Sequence, residues 1–379
     1  MSPIPFFYTN QMLQYNMGQS HPMKPERLSM VKNLLQDYDL FDKELALYTP
    51  APASVADIEA IHTPDFITAL QSCESGQPRV DVRKYGFMTA DNPLFEGIYS
   101  ASMLYTGASL DAAQAVLDGE PAAVNISGGL HHAHAGRAAG FCVLNDCAAA
   151  IHRLRQKYRR VAYVDIDVHH GDGVQELFFS DPSVLTISIH ENGRTLYPGT
   201  GSASEIGVND GEGTSVNINI AAKASDEIWL QAWRSAAITI LRDYNPEAIV
   251  LQMGADAHAL DPLAHLMLTA QGWLKAVQDI INQGKPLVLL GGGGYNLATV
   301  TRMWTLATAL VAGVELDNAV PQKSTFRKHE AFLRDVDEFL PSSSEYEYAA
   351  AKTRAFSVEL EHNLREYYHI GRGSHNRIS

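Results

Sequence analysis

The chain reads YVDIDVHHGDG over residues 163–173, directly after an apolar pair, and this stretch predicts the end of a buried parallel strand. Alternate side chains of a strand share one face, so Asp165, Asp167 and His169 are expected to point the same way. Burying two carboxylates and an imidazole together costs free energy unless a ligand compensates for the lost hydration. A divalent metal ion removes that cost, and this set of oxygen and nitrogen ligands suits zinc or a similar first-row ion. A charged loop after a strand is the alternative, and it is the better interpretation only of an isolated D-x-D pair.

Apolar runs of strand length alternate with helix-like segments along the chain. Predicted strands cover residues 6–9, 122–127, 161–168, 184–189, 248–254 and 286–292. Predicted helices cover residues 25–38, 64–72, 94–118, 141–157, 226–243, 270–283 and 297–313. This alternation indicates βαβ units, and hence a single α/β domain with a parallel sheet covered by helices on both faces. Residues 340–349 and 371–379 are predicted to be surface or partly disordered segments.

The composition narrows the class of protein. With 379 residues and 46% hydrophobic residues, the chain can form one large α/β domain. The net charge of −14 argues against a nucleic-acid-binding surface and suits cationic substrates. The three cysteines form neither a disulfide framework nor a cysteine zinc site, which indicates a reducing compartment. The first residues lack the pattern of a signal peptide and no apolar run spans a bilayer, so we expect a cytoplasmic protein without membrane contact.

Four more polar clusters follow predicted strands or open a helix. In NISGGLHHAHAG, a Gly-Gly turn delivers His131 and His132, each of which alone would be an ordinary structural histidine. MGADAH places Asp256 just past an apolar strand, where a helix N-cap is the alternative role. LLGGGGYN ends in Tyr295 and matches no phosphate-binding pattern, so close backbone approach to a ligand is the better interpretation. GQSHPMKPERL brings Arg27 to the start of a helix, although a proline-punctuated loop is usually only a connector.

These motifs together carry a resemblance to a known family. HPMKPER, GGLHHA, GFCVLND, DIDVHHGDGVQE, PGTG, GADAH and GGGGY stand in the order and spacing of the zinc-dependent histone deacetylase superfamily. The chain resembles most the class I enzymes and the bacterial acetoin-utilisation-type relatives, over roughly residues 5–315. The resemblance implies an arginase-like, three-layer α/β fold with a mostly parallel sheet of about eight strands. It implies a catalytic domain over residues 1–320, followed by a helical extension and flexible tail over residues 321–379.

The resemblance also implies hydrolysis of the amide in ε-N-acetyl-lysine, or another acyl-lysine, with release of acetate. The implied zinc ligands are Asp167, His169 and Asp256. The implied catalytic residues are His131, His132, Asp165, Asp172 and Tyr295. In this scheme His132, oriented by Asp172, is the general base, and His131 is its electrostatic partner beside Asp165. Tyr295 donates its phenol hydrogen to the developing oxyanion.

Further positions match the family's substrate and potassium sites. The implied substrate-binding residues are Asp91, Gly140, Phe141, Tyr197, Leu263 and Arg27. Tyr197 stands where phenylalanine is usual, and Leu263 lies where some polyamine deacetylases carry an acidic gatekeeper. A structural potassium site is implied at Asp165, Asp167, His169, Ser188 and Ile189. A second, poorer match for potassium comprises Phe178, Asp181 and Val184.

The expected partners are acetylated proteins, and three functions stay open. A protein lysine deacetylase is the first, an acetylpolyamine amidohydrolase the second, and a non-catalytic acyl-lysine-binding protein the third. The basic surface that nuclear class I enzymes use for inositol phosphate and corepressors is incomplete, since Lys24 is present but Pro262 and Ala298 occupy other basic positions. This difference favours a bacterial-type enzyme that acts without a corepressor.

Overall fold

A computed structural model describes residues 2–41, 43–336 and 339–370. Its strands are β1 (Ile4–Phe7), β2 (Leu45–Tyr48), β3 (Ala122–Asn125), β4 (Val161–Asp165), β5 (Val184–Glu191), β6 (Ser215–Ile220), β7 (Ala248–Gln252) and β8 (Leu287–Leu290). They form one eight-stranded sheet in the order β2-β1-β3-β8-β7-β4-β5-β6, and every neighbouring pair is parallel. The inner strands are almost wholly apolar because helices bury both faces of the sheet.

Helices cover the sheet in two layers. They are α1 (Glu26–Asp37), α2 (Val55–Glu59), α3 (Pro64–Ser72), α4 (Ile98–Leu117), α5 (Asp146–Leu154), α6 (Asp172–Phe178), α7 (Asp226–Tyr244), α8 (Ala270–Ile281), α9 (Leu297–Val311) and α10 (Ser343–Leu364). Short 3₁₀ helices occupy Asn10–Gln14, Arg83–Tyr85, Asn209–Gly211 and Thr325–Lys328. One layer packs α1, α9, α8, α7 and α10 side by side, and the other packs α3 to α6. The predicted single-domain, three-layer α/β fold is confirmed.

Several predicted boundaries were wrong for identifiable reasons. The strand predicted to reach residue 168 ends at Asp165, so Asp167 and His169 lie in the following loop. The helix predicted over residues 141–157 begins only at Asp146, because Phe141 has a left-handed backbone with φ of 69°. Residues 343–349, predicted to be irregular, open the long helix α10, whose N-cap Ser342 makes a capping box with Glu345. Residues 371–379 lie outside the described part of the chain.

Two buried tryptophans fasten the loop after β7 to the helix layer. Trp273 of α8 donates from Nε1 to the Gly254 carbonyl at 2.9 Å, and Trp304 of α9 donates to the Met253 carbonyl at 2.7 Å. Each indole buries a large apolar surface while its one polar atom is satisfied. The loop that carries Asp256 is thereby held at a fixed height above the sheet. None of the helices in the described ranges has the length and apolar content needed to cross a membrane.

The chain beyond residue 320 packs on the rest of the fold. Helix α10 lies against β6 and α7, and the Thr353 hydroxyl accepts a hydrogen bond of 3.1 Å from the Ala221 amide. Before α10, the buried carboxylate of Asp335 accepts hydrogen bonds from the Ala270 amide at 2.7 Å and Arg302 Nη2 at 2.9 Å. The boundary at residue 320 stays a prediction, and this packing supports an extension that belongs to the same folded unit.

Asp335→Asn is expected to destabilise the fold by about 3 kcal/mol, because it leaves the buried Arg302 guanidinium without its counterion. Burial opposes ionisation of Asp335, but His258 and Arg302 lower its pKa to about 2. The stabilisation is therefore present above the unfolded-state pKa of about 3.9 and is lost as the pH falls toward the folded-state value. Urea unfolding at neutral and acidic pH measures the difference.

Glu315→Gln is the matched control, since it removes one carboxylate from an exposed position shortly after α9. Its unfolding midpoint should equal that of the wild type at both pH values. Equal midpoints for Asp335→Asn and wild type at neutral pH would show that the Asp335 contacts contribute nothing to stability.

Candidate active site

The polar clusters singled out in the sequence meet at one edge of the sheet. His131 and His132 follow β3, Tyr295 follows β8, Asp256 follows β7, and Asp167 follows β4. These four strands are neighbours in the order β3-β8-β7-β4. The carboxyl ends of parallel strands lie at the same edge, which is where open α/β sheets place their ligand sites.

Asp167, His169 and Asp256 form a buried cluster whose ligand atoms all lie within 4.8 Å of one another. The Nδ1 atom of His169 lies 3.1 Å from Asp167 Oδ1 and 3.1 Å from Asp256 Oδ2. Burial and the neighbouring Asp167 carboxylate raise the pKa of Asp256 to about 7. Two carboxylates this close and this buried repel each other, and a cation between them relieves the repulsion. The donor set fits a divalent metal.

The two carboxylates of this cluster are held by backbone and amide donors. Asp167 Oδ2 accepts hydrogen bonds of 2.8 Å from Gln252 Nε2 and from the Gly293 amide, and Asp256 Oδ1 accepts one of 2.9 Å from the Val168 amide. A Cβ on Gly293 would collide with the Asp256 carboxylate, so the glycine run permits close backbone approach to the cluster. The N-cap alternative for Asp256 is wrong, because Thr269 caps the helix α8 that follows.

The tandem histidines converge on one point, and each is paired with its own carboxylate. His131 Nδ1 lies 2.7 Å from Asp165 Oδ2, and His132 Nδ1 lies 2.7 Å from Asp172 Oδ1. Their Nε2 atoms are 3.1 Å apart. His131 Nε2 also lies 4.0 Å from Asp167 Oδ1, which places the two histidines beside the cluster of Asp167, His169 and Asp256.

The two histidines differ in charge. Burial opposes a charge on His131, but the Asp165 and Asp167 carboxylates raise its pKa to about 9. Burial and the adjacent His131 lower the pKa of His132 to about 4. At neutral pH His131 is therefore cationic and His132 is neutral. A neutral His132 that donates Nδ1–H to Asp172 has its lone pair on Nε2, the nitrogen at which a general base would accept a proton.

Tyr295 is positioned by its backbone. Its amide donates to Asp261 Oδ2 at 2.8 Å, and the preceding Gly294 carbonyl accepts a hydrogen bond of 3.2 Å from Arg27 Nη1. The Arg27 guanidinium itself lies over the ring of Trp304, with 4.9 Å between its Cζ and the ring centroid. Burial raises the pKa of the Tyr295 phenol well above its usual value, so the hydroxyl keeps its proton as a donor.

Aromatic side chains stand on two sides of the cluster. The rings of Phe141 and Tyr295 are edge-to-face with 5.6 Å between centroids, and those of Tyr197 and His132 are edge-to-face at 5.1 Å. The Tyr15 hydroxyl donates to the Phe141 carbonyl at 2.8 Å and fixes its left-handed backbone. Gly140 precedes it, and a Cβ there would collide with the His132 ring. An extended ligand group that reaches the cluster would therefore pass between the rings of Phe141 and Tyr197.

The remaining predicted positions lie around this site or next to it. The Asp91 side chain is exposed, and its carbonyl lies 3.3 Å from His21 Nε2. Leu263 is half-buried, and its amide donates to Asp261 Oδ1 at 3.0 Å, which ties it to the loop beside Tyr295. Ser188 pairs in register with Asp165 across β4 and β5, so it and Ile189 lie beside the strand that leads into the cluster.

The second predicted potassium group lies at the opposite end of β5, away from the cluster. Phe178 ends α6, and its carbonyl accepts a hydrogen bond of 3.0 Å from the Asp181 amide. Val184 begins β5. The Asp181 carboxylate pairs with Arg155 at 2.7 Å, so a cation here would have to bind through backbone carbonyls.

Several residues that support the site were not predicted. The Asp146 carboxylate accepts hydrogen bonds from the amides of Gly129 and Leu130 and so holds the turn before the histidines. Gln252 and Asp261 support Asp167 and Tyr295. Two of the three had a signal in the sequence, since Gln252 is the one polar residue of β7 and Asp146 ends the motif GFCVLND.

Comparison with known proteins finds relatives in one family. The family model for the histone deacetylase domain matches residues 21–311. The chain is 38% identical over 325 residues to the acetoin utilization protein AcuC of Bacillus subtilis, covering 83% of this chain and 84% of that protein. It is 37% identical over 325 residues to histone deacetylase clr6 of Schizosaccharomyces pombe, covering 84% of this chain and 79% of that protein.

The solved structures that resemble this fold belong to histone deacetylase homologues. A histone deacetylase homologue complexed with SAHA superposes with a TM-score of 0.84 at 28% identity, covering 93% of this chain and 100% of that chain. A histone deacetylase homologue from Aquifex aeolicus superposes with a TM-score of 0.83 at the same identity and coverage. The chain therefore belongs to the histone deacetylase family of hydrolases.

Proposed function

We propose that this protein removes acetyl groups from ε-N-acetyl-lysine in proteins, with a zinc ion held by Asp167, His169 and Asp256. The observation that carries the proposal is the meeting of a buried three-residue ligand set with a neutral His132 and a protonated Tyr295. Three protein ligands leave a position open for water and substrate, as in catalytic zinc sites. A bound zinc ion supplies Lewis-acid chemistry, because it polarises a carbonyl and acidifies water.

The residues of the chain account for the proton transfers. His132 accepts a proton from the attacking water at Nε2, and Asp172 stabilises the resulting imidazolium through Nδ1. The same nitrogen then donates the proton to the leaving lysine amine. His131 keeps its charge beside Asp165 and stabilises negative charge that develops near Asp167. Tyr295 donates its hydroxyl hydrogen to the oxyanion.

Potassium is the second cofactor that we propose. The first site would use Asp165, Asp167, His169, Ser188 and Ile189. Asp165 also accepts a hydrogen bond of 2.6 Å from the Tyr163 hydroxyl, so a cation would bind here mainly through the carbonyls and the Ser188 hydroxyl. The second site, at Phe178, Asp181 and Val184, is a weaker proposal because the Phe178 and Asp181 carbonyls already accept hydrogen bonds from the amides of Asp181 and Val184.

The residues that we propose for the mouth of the site, Asp91 and Leu263, favour acetyl-lysine in a protein as the substrate over an acetylated polyamine. Leu263 offers no negative charge to the secondary ammonium of a polyamine. The exposed Asp91 carboxylate makes no hydrogen bond within the described ranges, so it is free to accept from the backbone amides of a peptide. The incomplete basic surface, with Lys24 present but Pro262 and Ala298 at other positions that are basic in the family, supports a cytoplasmic enzyme of bacterial type.

Asp91→Ala is expected to lower kcat/KM for an acetyl-lysine peptide by roughly tenfold or more, because a hydrogen bond to a charged group is lost. Hydrolysis of a small acetylated amine should change far less, since that substrate has no backbone amides to bind. Parallel kinetics on an acetyl-lysine peptide and on acetylspermidine give the comparison.

Leu263→Glu is the opposing variant, and it should improve acetylspermidine turnover relative to the peptide by adding a carboxylate at the mouth. A wild-type preference for acetylspermidine, with Asp91→Ala harming both substrates equally, would replace the proposal by the acetylpolyamine amidohydrolase. Absence of hydrolysis of either substrate by zinc-loaded protein would leave the non-catalytic acyl-lysine-binding protein.

A further inference from the structure

A series of ionisable side chains, each in contact with the next, connects the protein surface to His132. The Glu176 carboxylate, with 58% of its side chain exposed, lies 2.6 Å from Nδ1 of the buried His134. His134 Nε2 lies 3.3 Å from Asp172 Oδ2, and Asp172 Oδ1 lies 2.7 Å from His132 Nδ1. We propose that His134 is a positioning residue whose protonation weakens the support that Asp172 gives His132, so that pH controls the rate through His134. This inference rests on the proposed function of His132 as general base.

His134 Nε2 faces two groups of opposite character. Arg137 Nη2 lies 2.8 Å from it and can only donate, whereas Asp172 Oδ2 can only accept. A neutral His134 donates Nδ1–H to Glu176 and accepts from Arg137 at Nε2. A protonated His134 carries a hydrogen on Nε2 and donates it to Asp172 instead. The two protonation states therefore differ in their contact with Asp172.

The surroundings of His134 set where it titrates. Burial opposes its charge, but Asp172 and Glu176, both on α6, raise its pKa above the usual histidine value, against the effect of Arg137. His62 also packs here, with Nδ1 3.0 Å from the His134 carbonyl, and burial lowers the pKa of His62 to about 4, so it stays neutral. Of these two histidines, His134 is therefore the one that gains a proton first as the pH falls.

The consequence for catalysis follows from the charge on Asp172. General-base catalysis makes His132 cationic, and the Asp172 carboxylate stabilises that cation. When His134 is protonated, Asp172 already neutralises one imidazolium and stabilises a second one less well. The rate should fall as the pH drops through the pKa of His134 and recover above it.

The test is the pH profile of kcat/KM for zinc-loaded wild type and Glu176→Gln. Removing the Glu176 charge lowers the pKa of His134, so the acid-side inflection should move to lower pH by about half a unit, a modest shift for an exposed carboxylate. The matched control is Glu59→Gln, which removes an exposed carboxylate from α2 and should leave the inflection in place. An inflection that Glu176→Gln does not move would overturn the proposal.

His134→Gln separates a titrating role from a merely structural one. Glutamine keeps hydrogen-bonding capacity but cannot be protonated, so the inflection assigned to His134 should vanish. A loss of kcat/KM by the same factor at every pH would assign His134 a structural role only. Both variants are measured on whichever of acetyl-lysine peptide and acetylspermidine the wild type hydrolyses, so a wrong substrate class does not count against His134. Wild type that hydrolyses neither contradicts the proposed function itself.

Discussion

Asp256→Ala is expected to abolish both metal binding and hydrolysis. The substitution leaves Asp167 and His169 as the only protein ligands of an ion that requires three in a catalytic site. It also removes the acceptor that the Val168 amide uses, which loosens the loop that carries the other two ligands. Metal analysis after equilibration with zinc and removal of free ion measures the loss, beside an activity assay.

His132→Ala is the matching variant and should give the opposite pattern. In the proposed mechanism His132 acts on water without ligating the ion, so this variant should keep its zinc and lose its activity. Stoichiometric zinc in Asp256→Ala, or loss of zinc in His132→Ala, would show that the metal ligands have been assigned wrongly. Circular dichroism on both variants establishes that each is folded.

Tyr295→Phe is expected to lower kcat by ~10²–10³-fold, the usual cost of losing one oxyanion donor. The backbone contacts that position this residue, from Asp261 and through Gly294 from Arg27, do not involve the hydroxyl. The variant should therefore keep its fold, its zinc and its KM within a few-fold.

Tyr99→Phe serves as the control, since it removes a phenol hydroxyl from a partly buried position on α4. Its kcat should match that of the wild type. Turnover by Tyr295→Phe near the wild-type level would remove Tyr295 from the mechanism and leave oxyanion stabilisation to the metal and His131.

The sequence predicted the inner strands well because parallel strands buried on both faces are continuous apolar runs. It did not predict the two edge strands. In β2 the side chains of Leu47 and Tyr48 are about half exposed, and β6 alternates Ser215, Asn217 and Asn219 with apolar residues. The short, half-exposed β2 gives little local signal, whereas the alternation in β6 is itself a strand pattern that the prediction missed.

The candidate site likewise contains residues that the sequence predicted and residues that it did not. The residues at strand ends stood out because charge after an apolar run is locally visible. The contacts of the residues that hold them could not be predicted, because the partners are distant in sequence. Asp261 and Tyr295 are 34 positions apart, and His134 and Glu176 are 42 apart. Sequence patterns also cannot give the charge states of His131 and His132, which depend on burial, on each other and on the carboxylates that folding brings to them.

The strand order also decides when activity can begin as the chain is made. Strands β3 and β4 follow each other in sequence, but β8 and β7, the last two strands in the chain, lie between them in the sheet. A nascent chain that has not reached β7 can pair only β2-β1-β3 and β4-β5-β6, as two separate half-sheets with unpaired inner edges. Such edges invite aggregation, so chaperones should matter most during this interval. The proposed zinc ligands assemble only after residue 256 has been made, and Tyr295, the proposed oxyanion donor, arrives last.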